Sequence, residues 1–255
     1  RPSLDTRLSV YVQHGGLVGA SARLALAELR RESGRWRPAL DAYDAALVHP
    51  CLSDEQQVLA LAAAGECHIW LLEDDAAMAL FERAFSLLPT DASPFVRCNL
   101  HIKRSIVWRR KHRPVLAARD LEEAAAIADH HHLRVERAKI DLEKGLTLFL
   151  FGYSDPALRL MDAALAAHRQ LHFIKGIKKA LYCRGLLLRS AGRLDEAGVS
   201  LEESRELNKR HFDLLGLALV HQALAEVEPD RAAHHQACFE KYANKLGGLP
   251  HADQL

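Results

Sequence analysis

The stretch GECHIWLLEDDAAMALFERAFSLLP, residues 65–89, decides the fold of this chain. A small residue, Gly65, is followed twelve positions on by a second, Ala77. A bulky one, Phe81, comes four later, a third small one, Ala84, three after that, and Pro89 closes the run. Steps of four and three put Ala77, Phe81 and Ala84 on one face of a helix. Small side chains at a crossing let two helices approach closely and pack densely, so the segment reads as a helical hairpin.

The same spacing recurs in register. Upstream it is Ala27, Ala39, Tyr43, Ala46; downstream it is Ser105, Ala117, Leu121, Ala124, then Gly145, Ala157, Met161, Ala164, then Gly185, Ala197, Leu201, Ser204. Successive first members are 38, 40, 40 and 40 residues apart, which marks a repeat protein rather than a single packed core. Breakers stand between the two helices of a unit: Gly34 to Pro38, Gly152 to Pro156 and Gly192 to Asp195. Gly there supports a left-handed residue at the end of the first helix, and Pro fits the first turn of the second. Pro50 and Pro89 end the second helices of the first two units.

Composition agrees with an all-α protein. Of 255 residues, 49% are apolar and 26% charged, aromatics are only 6%, and there are 14 Gly and 9 Pro, too few turn residues for a sandwich or barrel. The apolar content excludes disorder, and the longest greasy run, residues 145–152, is far short of a bilayer crossing. Five scattered cysteines without a CxxC pair, and a start lacking an apolar leader, read as a cytoplasmic chain with reduced, mostly buried thiols.

In its order of residues the pattern resembles the tetratricopeptide (TPR) repeat family. Gly65, Ala77, Phe81, Ala84 and Pro89 follow that family's small-small-aromatic-small-Pro signature, and Gly185, Gly192, Leu194, Ala197 and Leu201 follow it nearly as well. The resemblance spans residues 21–207, with a degenerate sixth unit around Ala225, Ala233 and Ala237. The period exceeds the family's usual 34, and its first-helix Trp and Tyr are mostly missing. Long repeats of this kind are similar to those in sensor regions of bacterial regulators, including maltose-activator-like transcription factors and repeat-containing cyclases. The resemblance implies a right-handed α-solenoid of five to six hairpins over residues 21–246, with a capping helix and loop in 1–20, including Gly15 and Gly16, and a loose tail in 247–255.

It also implies that the first helices line a concave groove. The residues flanking each small position there are Asn99, Ile102, Lys103, Ile106, Arg109 and Arg110 in unit three; Lys139, Leu142, Leu146 and Phe149 in unit four; and Lys179, Tyr182, Leu186 and Arg189 in unit five. Leu146, Phe149 and Leu186 form the expected apolar floor, the cations a rim that grips carboxylates, and Tyr182 and Phe149 the anchors. Ile102 and Ile106 stand where the carboxylate clamp of some family members needs polar residues.

Charge is segregated along the chain although the net is only +1. Residues 51–94 carry eight acids and one base, Arg83; residues 97–119 carry eight bases and no acid; residues 163–194 carry seven bases and no acid. These are either solvated faces or a groove that selects its ligand electrostatically. Fifteen histidines include His130–His132, His234–His235 and the pair His168 and His172, four apart. A metal role is conceivable for such a pair on one helix face, but the expected reading is surface or helix-end histidine. No metal, cofactor or catalytic motif is expected. The expectation is a non-enzymatic regulatory module binding an acidic peptide or protein segment, with homodimerisation open, nucleic acid disfavoured and no membrane contact. The alternatives are a small-molecule sensor and an oligomerisation scaffold.

Overall fold

The computed structural model describes residues 4–14 and 16–246. Among them are thirteen α-helices, one 3-10 turn and no strand. The helices are α1 (Leu4–Tyr11), α2 (Gly16–Glu32), α3 (Trp36–Leu47), α4 (Asp54–Trp70), α5 (Asp74–Leu87), α6 (Pro94–Arg110) and α7 (Pro114–His130). They continue as α8 (Arg134–Leu150), α9 (Ser154–Gln170), α10 (Ile174–Ser190), α11 (Leu194–Arg210), α12 (Leu214–Val227) and α13 (Ala232–Lys245). Six antiparallel hairpins run from α2–α3 to α12–α13, and α1 packs on α2. The even-numbered helices touch one another from α2 through α12 and form the inner layer of a right-handed α-solenoid. The loop residue Gly15 and the tail 247–255 lie outside the described residues.

The period of 40 has a simple origin. From α6 to α11 every helix is 17 residues long and every link is three, so two helices and two links make one unit. Each link is the same C-terminal turn. In it an amide reaches back five residues, as Tyr153 N–H to Leu148 C=O (3.1 Å) and Arg193 N–H to Leu188 C=O (2.9 Å), with a left-handed residue just before. Gly152 and Gly192 take that conformation freely, at φ 82° and 74°. Elsewhere Leu72, His112, His132, His172 and Phe212 adopt it, so the link is imposed by packing as much as by local preference.

The signature residues are the core. Ala39, Ala46, Ala77, Phe81, Ala84, Ala117, Leu121, Ala124, Ala157, Met161, Ala164, Ala197, Leu201 and Ser204 are all fully buried. A Cβ on Gly65 would stand 2.8 Å from the Phe81 ring, and one on Gly185 would stand 2.6 Å from Leu201, so each hairpin closes on a missing side chain.

Segregated charge staples neighbouring units. The acids of unit two meet the bases of unit three: Glu66 with Lys103, Asp74 with Arg110 (2.7 Å) and Asp75 with Lys111. Further along, Arg169 pairs with Glu203, Lys178 with Asp213 and Arg189 with Glu226. The ends of the spiral also meet. Leu215 of α12 packs on the cluster formed by Trp36, Tyr43 and Ala63, and a Cβ on Gly34 would lie 3.1 Å from Leu246. The inner wall therefore closes around the groove.

Candidate functional site

The inner helices enclose a groove of about 950 Å³. Its apolar surface comes from Leu59 and Trp70 of α4, Phe95, Ile102 and Ile106 of α6, Leu142 and Leu146 of α8, Tyr182 of α10, and Leu215 and Leu219 of α12. Trp70 is held by stacking on Trp36, centroids 5.2 Å apart and planes 3° from parallel. Eight cationic side chains line the groove: Arg31, Lys103, Arg109, Arg110, Lys139, Lys175, Lys178 and Lys179. They face four carboxylates, Glu28, Glu66, Glu143 and Asp213, leaving the wall net positive.

Two of those carboxylates organise the cations. Glu143 of α8, only 2% exposed, accepts from Arg109 of α6 (3.3 Å) and from Lys179 of α10 (2.6 Å), tying three successive inner helices together. Burial alone would raise its pKa, but Lys179 and Arg109 outweigh that and hold it below the ordinary value. Glu66 sits between Lys103 and Arg31 (3.3 Å); there too burial is overcome by the two cations, and its pKa falls to about 2. Arg31 also bonds Glu28 at 2.6 Å, and Glu28 accepts from the Tyr43 hydroxyl. Burial pushes the thiol of Cys183, in the same wall, up to about 11, so it is a protonated, inert side chain.

Asn99, Lys103, Arg109, Arg110, Lys139, Lys179 and Tyr182 line this groove, as do Ile102, Ile106, Leu142 and Leu146. Phe149, Leu186 and Arg189 are not among its lining residues. Phe149 and Leu186 pack onto the core cluster between α8 and α12, and Arg189 is drawn to Glu226 at 2.6 Å. Spacing within one helix places a residue on a face but not along the groove, and these positions near the C-terminal ends of α8 and α10 fall past its wall. The acids Glu66 and Glu143 were missed by sequence reasoning. Both lie within two residues of signature positions, Glu66 just after Gly65 and Glu143 two before Gly145, a signal that could have found them.

The histidines separate into two kinds. His130–His132 are exposed at the end of α7, as helix-end residues should be. His168 is instead 1% exposed and lines the groove, while His172 sits in the following link at φ 51°. α9 ends at Gln170, so the two do not share a helix face as a chelating pair would require. His235, also buried, meets His221 at 3.0 Å and Glu228 at 3.1 Å. No group of three or more metal-capable side chains converges among the described residues. No described helix is long and apolar enough to cross a membrane.

The backbone is similar to several solved structures. A Rap protein complexed with competence and sporulation factor matches with a TM-score of 0.75 at 14% identity, over 96% of this chain and 74% of that one. The Rap conjugation gene regulator of the plasmid pLS20, solved with a Phr peptide, gives 0.73 at 16% identity, over 90% of this chain and 63% of that one. A thermophilic TPR protein of Thermus thermophilus gives 0.60 at 21% identity, over 80% and 98%. At such identities the likeness is one of fold, and the fold is the TPR-like helical repeat. No protein-family model matches the sequence, and no curated protein is similar to it in sequence.

Proposed function

We propose that this chain is a non-enzymatic, peptide-binding regulatory module of a bacterial signalling or transcription-regulatory protein, with residues 21–246 acting as one continuous repeat domain. The observation that carries this reading is the groove: about 950 Å³, floored by Ile102, Ile106, Leu142 and Leu146, and walled by twice as many cations as carboxylates. Such a wall suits an extended segment carrying both apolar and acidic side chains. One solved structure of the same fold holds a peptide by its description, and another is complexed with competence and sporulation factor, which supports the choice of peptide over other ligands. The chain spans 63% of the length of the plasmid regulator.

Arg109 and Arg189 are unsuitable reporters. Arg109 supports the buried Glu143, and Arg189 is committed to Glu226. Ile106 is the better choice, since it is only partly buried and makes no ion pair. A random hexapeptide library selected on the wild-type protein yields binders rich in Asp, Glu and aliphatic residues. Ile106→Glu, which places a negative charge in the floor, weakens them by about tenfold or more while leaving helicity unchanged. Equal binding by both proteins would exclude the groove as the site.

A further inference from the structure

At the start of α10 the groove holds a histidine that the fold leaves unsatisfied. His168 is 1% exposed, and neither ring nitrogen has a hydrogen-bond partner among the described residues. Its ring lies against the first turn of α10: a Cβ on Gly176 would stand 2.6 Å from the ring's Cγ and Nδ1, and Phe173 flanks it at 5.4 Å. Buried polar side chains nearly always have partners, so an unpaired one facing a groove points to a ligand group.

The first turn of α10 is equally unprovided for. Its N-cap is Phe173, and it carries no acid in the first turn. The other inner helices from α4 to α12 each have a cap or an acid: Ser53, Ser93, Glu136 and Asp213. The repeat register makes the comparison with α12 direct. Forty residues after His168, Phe173 and Gly176 come Asn208, Asp213 and Gly216. There the Asp213 carboxylate accepts from the Gly216 N–H at 2.9 Å and pairs with Lys178. A carboxylate thus caps the equivalent turn of α12, and no described residue supplies one to α10.

Two cations not tied to another helix among the described residues line this part of the groove. Lys139 reaches from α8 over the Phe173 ring, 5.3 Å from its centroid, and among the described residues its ion pair is with Glu136 three residues away. Lys175 is exposed in the first turn of α10 and makes no ion pair among the described residues. Glu66, whose pKa Lys175 helps to lower, is already bonded to Lys103 and Arg31.

We propose that the N-terminus of α10, with His168, Lys139 and Lys175, is a carboxylate-binding subsite that takes an acidic side chain or the C-terminal carboxylate of a peptide in the groove. It rests on the peptide-groove reading and gives that groove its polar anchor. The charged groups acting on His168 are Lys139 from α8 and Lys179 from α10, bonded respectively to Glu136 and Glu143 of α8, while Lys175 stands in the first turn of α10 against which the ring lies. Burial, then Lys139 and Lys179, hold the imidazole at about 4, so it is neutral at pH 7. A carboxylate seated among these cations reverses that balance and favours the imidazolium, so binding takes up a proton and tightens as the pH falls from 7 towards 5.

The test uses three peptides: acetyl-Leu-Leu-Leu with a free C-terminus, acetyl-Leu-Glu-Leu-amide and the neutral acetyl-Leu-Leu-Leu-amide. NMR follows the His168 imidazole pKa, and calorimetry follows affinity, on wild-type protein and Lys175→Ala. One or both charged peptides bind about tenfold more tightly than the neutral one, Lys175→Ala removes that advantage, and the His168 pKa rises by about one unit or more. Which charged peptide wins identifies the source of the carboxylate. Equal binding of all three with His168 unmoved would overturn the subsite and leave the groove standing. If no peptide binds, the groove reading falls and acetate decides the subsite: a Lys175-dependent rise in the His168 pKa upholds it, and no rise overturns it. Inorganic phosphate acting through Lys175 where acetate does nothing would overturn the assignment to carboxylate.

Discussion

Replacing Glu143 by Gln removes a carboxylate shared by α6, α8 and α10. The side chain is 2% exposed, so its charge is tolerated only because Arg109 and Lys179 bond to it. A hydrogen bond to a charged group contributes about 1.5–3 kcal/mol, and the Arg109 contact, with that side chain 16% exposed, belongs in this range. Lys179 is 51% exposed and can turn to water, so its share is nearer the ~0.5 kcal/mol of a surface pair. The expected loss is therefore about 2–3 kcal/mol, or roughly 5–10 °C in Tm for a chain of this size. The pH dependence follows from the direction of the shift. Glu143 is held below its ordinary pKa, so its stabilisation is complete above the unfolded value of about 4.3 and is lost as pH falls through the lower folded one. Urea unfolding of wild type and Glu143→Gln between pH 7 and 3 shows a constant gap down to about pH 5, closing below about pH 4. A gap under about 0.5 kcal/mol, or one already closing between pH 7 and 6, would refute this description of the groove wall.

Three further perturbations probe the fold. Phe212 is 87% exposed yet held at φ 53°, so Phe212→Gly removes left-handed strain at no packing cost and stabilises by about 0.5–1 kcal/mol, read as a rise in Tm. Gly185→Ala drives a Cβ to within 2.6 Å of Leu201 and costs about 1–3 kcal/mol in urea unfolding, with loss concentrated in α10 and α11 by hydrogen exchange. Burial, with nearby cations, depresses His168 and His221 to about 4. Stability from both is therefore complete above the unfolded value of about 6.5 and is lost as pH falls towards 4. His168→Asn, the residue found one unit later at Asn208, flattens part of that acid slope in urea unfolding; an unchanged slope would contradict a neutral, buried His168.

The hairpins were legible because their determinant is local and periodic. Gly65 and Phe81, or Gly185 and Leu201, need only fixed spacing to declare a close helix crossing, and the register carried that through five units. The curvature of the inner wall was less so. Whether Arg189 or Lys179 reaches the groove depends on where along α10 the wall ends, and one decisive influence, Glu226, lies 37 residues from Arg189. The charge blocks were visible but ambiguous. Three of the eight cations of unit three, Lys103, Arg110 and Lys111, are spent on Glu66, Asp74 and Asp75 of the unit before, a pairing that appears only when units are stacked. His168 was hidden for a related reason. Its position near a helix end suggests solvent, but the next hairpin covers it, and only the orphaned ring nitrogens make it conspicuous.

Recognition of a carboxylate-bearing peptide by the inner wall is tested most directly by amide chemical-shift mapping with the tightest library-selected peptide. The expected perturbations are confined to the groove-facing residues of α4, α6, α8, α10 and α12, centred on Ile106, Leu146 and Lys175. Perturbations centred on the outer helices α7, α9 and α11, with the inner helices silent, would contradict it.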